Sequence, residues 1–284
     1  MDQISGHARI SYSPQRWAGT NHLPIVIVVL ALLIPSMLAT SCNFETLDIG
    51  PVKTEEMAVE LGQASSALIA VSIGTGSLYL DGDGLNLMDS IFTYNVDDWK
   101  PEVHYEEAGD IGRLSVSQPE FRAALPVNMG DIRYEWAVHL NDDLPINLSV
   151  IMGAGDGELI LSRLLLDSFD FKGGAGEVDI DLRGSTVNDL DVALGAGDVA
   201  LDLSGQWLQD VQATIKGGLG RVTLILPSDV GVRVTTQGML SKINAPDLIN
   251  NSGTYTNARY GQSDVSMNID IESGIGEIVM EFGE

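Results

Sequence analysis

Gly153-Ala154-Gly155, Gly174-Ala175-Gly176 and Gly195-Ala196-Gly197 stand 21 residues apart, and Gly218-Leu219-Gly220 follows 23 further on. A period of this size constrains the fold more than any single motif. It implies one supersecondary unit stacked on copies of itself, each covering its neighbour's apolar face. Each unit reads strand, glycine turn, strand. Leu190, Val192 and Leu194 precede the third turn at every second position, and Val199, Leu201 and Leu203 follow it in the same way. Alternation of period 2 gives a strand one buried and one wet face. Phe169, Phe171, Val178, Ile180 and Leu182 repeat the pattern one unit earlier, and Val211, Ala213, Ile215, Val222, Leu224 and Leu226 one unit later. Glycine at the corner permits positive φ and a close approach of neighbouring coils. In the first unit Gly157 and Glu158 read as a two-residue insertion that widens the turn.

Weaker copies extend the pattern. Gly74-Thr75-Gly76 leads into Leu78 and Leu80, Gly109-Asp110-Ile111-Gly112 into Leu114 and Val116, and Gly274-Ile275-Gly276 into Ile278 and Met280. The expected fold is all-β, a β-solenoid-like stack of repeats of about 21 residues with glycine corners, running from about residue 66 to the C-terminus. Longer excursions near 81–108 and 238–262 interrupt it, and in repeat folds such insertions project from one face and often bind. Residues 55–68 are compatible with a helix or a strand, either of which would cover one end of the stack.

The N-terminus speaks to location. Arg9 and Arg16 precede an uncharged, mostly apolar run from Leu23 to Leu38, which leads into Leu38-Ala39-Thr40-Ser41-Cys42. A positive region, an apolar core and small residues before a cleavage point make a secretory signal. Cys42, the single cysteine of the chain, sits where that signal would end. The arrangement resembles a bacterial lipoprotein signal, which implies lipidation of Cys42. The other reading keeps 23–40 as an uncleaved anchor. Both place the rest of the chain on the extracytoplasmic face of a membrane. The resulting division is 1–41 signal peptide, 42–59 lipidated cysteine and tether, 60–150 an N-terminal part and 151–284 a C-terminal repeat part.

With 40 Asp and Glu against 15 Lys and Arg, the chain carries a net charge of −25. Such a surface repels nucleic acid, which is excluded as a partner. One cysteine leaves no disulfide within the chain. Beyond the signal only His104 and His139 remain, 35 residues apart and in no metal-pair spacing. No Gly-x-Ser-x-Gly elbow marks a serine hydrolase. The Gly-x-Gly turns continue neither to a sixth-position glycine nor to Gly-Lys-Ser/Thr, so they are not phosphate loops. The residue after the corner is acidic in four units (Asp156, Glu177, Asp198, Glu277), and Asp181 and Asp202 share the 21-residue register. In a stacked coil such positions lie about 4.8 Å apart, so the columns must be solvated or bridged by a cation. Solvated turn residues are the simpler reading. No catalytic residue, metal ligand or cofactor is assigned.

Several segments carry a family resemblance. Val71-Ser72-Ile73-Gly74-Thr75-Gly76, Trp99-Lys100-Pro101-Glu102-Val103 and Leu140-Asn141-Asp142-Asp143-Leu144-Pro145-Ile146-Asn147-Leu148 resemble the bacterial "toast rack" proteins. Leu226-Pro227-Ser228-Asp229-Val230-Gly231-Val232-Arg233-Val234 and the closing Ile269-Asp270-Ile271-Glu272-Ser273-Gly274-Ile275-Gly276 also resemble the C-terminal domain of the cell-wall-active antibiotic response regulators. The resemblance implies a layered or solenoid-like all-β fold and carries over no catalytic residue.

The expected function is a non-enzymatic, membrane-anchored module for binding, adhesion or envelope-stress regulation. Its expected partners are the membrane, through the lipid, and an envelope protein or glycan. The alternative is an envelope polysaccharide hydrolase or lyase that uses surface carboxylates beside Trp99 and Trp136. A groove with a carboxylate pair and aromatic platforms would favour the enzyme, and a smooth solvated face the binder.

Overall fold

The structure is a computed structural model that describes residues 48–119 and 132–283. Among them run sixteen strands: β1 (Ile49–Val59), β2 (Ser66–Thr75), β3 (Ser77–Asp81), β4 (Met88–Val96), β5 (Glu102–Ala108), β6 (Ile111–Ser117), β7 (Tyr134–Leu140), β8 (Ile146–Ala154), β9 (Gly157–Ile160), β10 (Leu166–Asp181), β11 (Asp189–Asp202), β12 (Val211–Leu226), β13 (Gly231–Asn244), β14 (Ile249–Asn251), β15 (Thr254–Thr256) and β16 (Ser266–Phe282). The described residues contain no α-helix. The all-β, solenoid-like stack with glycine corners is therefore the observed architecture.

Each coil is a strand with a glycine corner at its middle and an arm on either side. In β11 the buried positions are Leu190, Val192 and Leu194 before the corner and Val199 and Leu201 after it, with Leu203 continuing the phase just beyond the strand. The buried set changes from even to odd numbers across the corner, so both arms turn the same face toward one core. Parallel, in-register pairing of β10, β11, β12, β16 and β13 then stacks like on like. One resulting column runs Leu114, Ile69, Leu148, Phe169, Leu190, Ala213, Ile269, Val234, all buried in the same core. Burial of each large member is worth about 1.5–3 kcal/mol, which makes these columns the main source of cohesion.

In six coils the corner requires glycine, while in β13 Ser241 takes the equivalent place opposite Gly276. Gly76, Gly155, Gly176, Gly197, Gly220 and Gly276 all have positive φ, from 119° to 157°. A Cβ on Gly176 would fall on the carbonyl oxygen of Gly155, and one on Gly197 on that of Gly176. The backbones therefore stack in direct contact along the corner. At one end of this ladder the Gln118 side chain replaces a missing corner, its Oε1 accepting from the backbone N–H of Gly74 at 2.7 Å and of Thr75 at 3.1 Å.

The stacking order departs from the order in the chain at both ends. β2 and β3 lie between the β6/β7 coil and the β8/β9 coil, and β16 lies between β12 and β13. The excursions at 81–108 and 238–262 do not project as binding loops. The first supplies β4 and β5, which pair antiparallel with β7 and β6 and close one end. The second supplies β14 and β15, which pair antiparallel near the other end. Antiparallel strands terminate a parallel stack because they present a different hydrogen-bond pattern to the next coil.

Four expectations need correction. Residues 49–59 of the expected tether are β1, paired antiparallel with β4, and the segment 55–68 is the end of β1, a turn and the start of β2, with no helix. The boundary between parts at 150 and 151 falls inside β8, within one compact unit, so it divides nothing. Gly109-Asp110 is a two-residue hairpin between β5 and β6, since Ala108 faces Ile111. Gly157 and Glu158 are no insertion, because Gly157 pairs with Val178 and Leu159 with Ile180. Gly157 occupies a core position, and the Met152 sulfur stands 2.9 Å from where its Cβ would be, filling the space that Val178 fills in the next coil.

Gly176→Ala is expected to lower stability by about 3 kcal/mol or more, because both the backbone conformation and the Gly155 carbonyl resist a Cβ. Gly109→Ala, at φ 70° with open space around it, should cost only about 1 kcal/mol. Urea unfolding midpoints of the two variants check this ordering.

Candidate functional site

The most developed surface feature is the outer face of the arms that follow the corners, at the end closed by β4. Outward side chains from five strands meet there in cross-strand register: Ile91 opposite Ala137, Ala137 opposite Tyr79, Tyr79 opposite Glu158, and Glu158 opposite Asp179. Glu135, Ser77, Asp156 and Glu177 lie nearer the corner. Together they line an open depression of about 540 Å³. Its floor is the strand backbone, and Ile91 and Tyr79 give it an apolar patch within an acidic border.

Charge divides this face in two. Toward β13, the row next to the corner alternates in sign: Asp198 with Arg221 at 3.6 Å, Arg221 with Glu277 at 3.4 Å, and Glu277 with Lys242 at 2.9 Å. The hydrogen bond and charge of Lys242, followed by those of Arg221, hold the Glu277 carboxyl below its usual range. Around the depression the compensation stops. Asp156, Glu158, Glu177 and Asp179 make no ion pair with any described residue. Like charges on adjacent strands repel, so the four create a local negative field directed at solvent.

The expected carboxylate columns are thus real in register and differ in how they are neutralised. Asp181 and Asp202 are neighbours on β10 and β11, and Arg183 spans them, with Nη2 at 2.7 Å from Asp181 and Nε at 3.7 Å from Asp202. Burial pushes the Asp181 carboxyl up, but the Arg183 hydrogen bonds and charge outweigh it, and the net displacement is downward. No cluster of three or more His, Cys, Asp or Glu side chains among the described residues is arranged to hold a metal ion.

The residues considered for catalysis do not converge. Trp99 and Trp136 are buried, at 4% and 2% exposure, in an aromatic cluster with Tyr134, whose hydroxyl donates to the Trp99 carbonyl at 2.6 Å. Neither offers a platform to a sugar. His104 is an exposed partner of Glu106 at 3.1 Å. His139 contacts Asp81 at 2.7 Å, and the Tyr79 hydroxyl donates to the other oxygen of that carboxylate at 2.9 Å. This Tyr–Asp–His chain ties β3 to β7 at the edge of the face. Among the described residues four carboxyls are displaced from the ordinary range, Glu55, Asp89, Asp181 and Glu277, and all four move down. A glycosidase acid needs the opposite displacement.

The sequence marked Asp156 and Glu177 as acidic positions after the corner and read Glu158 as part of a widened turn, and it did not bring Asp179, Tyr79, Ile91 and Glu135 to them. The available signal was their place on the polar phase of their strands. Cys42 and the segment 23–40 lie outside the described residues. No described helix is long and apolar enough to cross a membrane.

Comparison with known proteins decides the family. The model of the N-terminal domain of toast_rack, DUF2154, matches residues 48–189 and 168–225, more than half of the sequence. The chain belongs to the toast-rack family. A solved structure of a candidate cell adhesion protein from Clostridium sporogenes ATCC 15579 is 29% identical, with a TM-score of 0.63. The match covers 82% of this toast-rack chain and 100% of that one. A candidate adhesin from Bacteroides fragilis NCTC 9343 is 9% identical over 83% of this chain and 99% of its own, with a TM-score of 0.27. A candidate lipid binding protein from Parabacteroides distasonis ATCC 8503 is 11% identical over 84% and 100%, with a TM-score of 0.29. Superposition that loose carries no argument about this chain. No curated protein matches it.

Arg183→Met should lower stability by about 1 kcal/mol at neutral pH, since the pair is partly exposed. Because the folded Asp181 pKa is depressed, the pair stabilises above the unfolded carboxyl value of about 3.9 and loses its effect as pH falls through the lower folded value. Unfolding curves of native and variant chains should therefore converge as pH falls below the folded Asp181 value.

Proposed function

We propose that this toast-rack protein is a non-enzymatic adhesion and binding module of the cell envelope, held at the outer side of a membrane by lipid on Cys42. The observation that supports the adhesive reading is the likeness, at 29% identity over 82% of this chain and 100% of that one, to the candidate cell adhesion protein of Clostridium sporogenes. The site chemistry supports it. The outer face around Tyr79 and Ile91 has broad acidic and apolar area and shows neither a raised carboxyl nor a solvent-facing tryptophan pair. Rigid strands fix these side chains, so a partner protein or glycan meets a preorganised surface. A regulatory role in envelope stress would use the same face, with partner binding as the signal.

Replacing Glu158, Glu177 and Asp179 together by Gln, Gln and Asn removes three unneutralised charges without touching the core. The expected outcome is an unchanged unfolding midpoint and a clear loss of envelope components co-purified at low salt with the tagged chain. Equal recovery by the variant would exclude this face as the contact surface. Cys42→Ala should abolish incorporation of labelled fatty acid into the protein, and absence of label in the native chain would rule out the lipid anchor.

A further inference from the structure

The 21-residue period does not end at Gly220. Ser241 stands 21 residues after it, as Val232 does after Val211, Val234 after Ala213, Leu240 after Leu219 and Ile243 after Val222. By this spacing β13 is the next coil on β12, with those residues directly opposite one another. In the structure β16 lies between the two strands, and each of those pairs faces across one β16 residue. Val211, Met267 and Val232 share a row, as do Leu219, Ile275 and Leu240, and Gly220, Gly276 and Ser241. β16 is thus inserted, without a shift of register, between two strands that match each other.

The connection between β12 and β13 fits the shorter step. Ser168 follows Ile160, and Asp189 follows Asp181, by eight residues, and each of these connections carries the chain onto its direct neighbour. At the equivalent positions Arg233 also follows Ile225 by eight, although this connection crosses two strand spacings, about 10 Å instead of about 5 Å. Charge opposes the shorter step. Glu277 of β16 contacts Arg221 of β12 at 3.4 Å and Lys242 of β13 at 2.9 Å. Without β16 these two cations would be direct neighbours and repel.

We propose that the stack has two packings: the observed one, with β16 inserted and latched by Glu277, and a shorter one, with β16 withdrawn and β13 paired directly with β12 in the same register. The inserted packing is the ground state, because it alone buries Met267, Ile269, Ile271, Ile278 and Met280 of β16. The shorter packing is the one open to the chain before β16 enters, and it saves β12 and β13 from facing each other across an empty slot with unpaired backbone groups. It also frees a 17-residue strand, Ser266–Phe282, to pair elsewhere. Two packings of one sequence related by entry of a strand form a bistable element, and any contact that favours the free strand shifts it toward withdrawal.

Thr214 and Thr235 are half-buried residues on the outer phase of β12 and β13, with Asp270 between them. In the inserted packing their Cα atoms are about 10 Å apart, beyond the roughly 7 Å that a disulfide can span, and in the shorter packing about 5 Å apart. The test uses the full chain carrying Cys42→Ala, Thr214→Cys and Thr235→Cys, kept folded in a glutathione redox buffer. The disulfide between positions 214 and 235 should accumulate, and the bridged chain, unlike the reduced one, should be cut by protease within 266–282. The pair Gln212→Cys and Thr235→Cys, which an unfolded chain would bridge as readily, is out of register by two residues in both packings and should stay reduced. Adding Lys242→Glu, which repels Glu277 and attracts Arg221, should speed bridging of 214 to 235 by roughly two- to fivefold at low salt. Absence of the bridge, equal bridging of the displaced pair, a bridged chain still protected over 266–282, or a rate indifferent to Lys242→Glu would each overturn the proposal.

Discussion

Everything in this molecule depends on bringing successive backbones into contact along one line. At the corners from Gly155 to Gly276 each positive-φ glycine lies against the carbonyl of the glycine in the neighbouring coil, too close for any Cβ between them. That contact fixes the register of every coil on its neighbour. Register in turn decides which side chains share a column, because a slip of one residue in a strand exchanges its two faces. The buried columns of Phe, Leu, Ile and Val, and the surface ladders of Asp, Arg, Glu and Lys, are both consequences of this one alignment.

The same alignment explains the surface electrostatics. Stacked carboxylates repel, and the chain relieves most of this strain by placing a guanidinium or ammonium one coil or one turn away, as Arg183 and Arg221 do. Around Tyr79 the pattern is left incomplete, with Asp156, Glu158, Glu177 and Asp179 facing water unpaired. An unneutralised patch on a rigid sheet costs stability, and contact with a partner is the use proposed for it. The tryptophans considered as a sugar platform, Trp99 and Trp136, are core residues.

Much of the fold was legible in the residues. Gly174, Gly195 and Gly218 announced the corners, and the alternation around them announced strands and their buried face. The errors share a cause. Gly109-Asp110 looked like a corner because hairpin turns and solenoid corners both need glycine at positive φ. Gly157 looked inserted because a small residue in the core phase interrupts the alternation, although Met152 fills its space from across the corner. β1 looked like a tether because an outer edge strand need not alternate.

By itself the sequence determined the all-β class, the period, the identity of the core columns and the toast-rack resemblance, because all of these rest on local spacing. Only the tertiary structure decided the order of the coils, the use of both excursions as end caps, and the gathering of Ile91, Tyr79, Glu135, Glu158 and Asp179 on one face. The physical reason is that parallel strands with like patterns are interchangeable as neighbours. Local spacing makes a strand able to pair, and only the packing of the whole stack selects its partner.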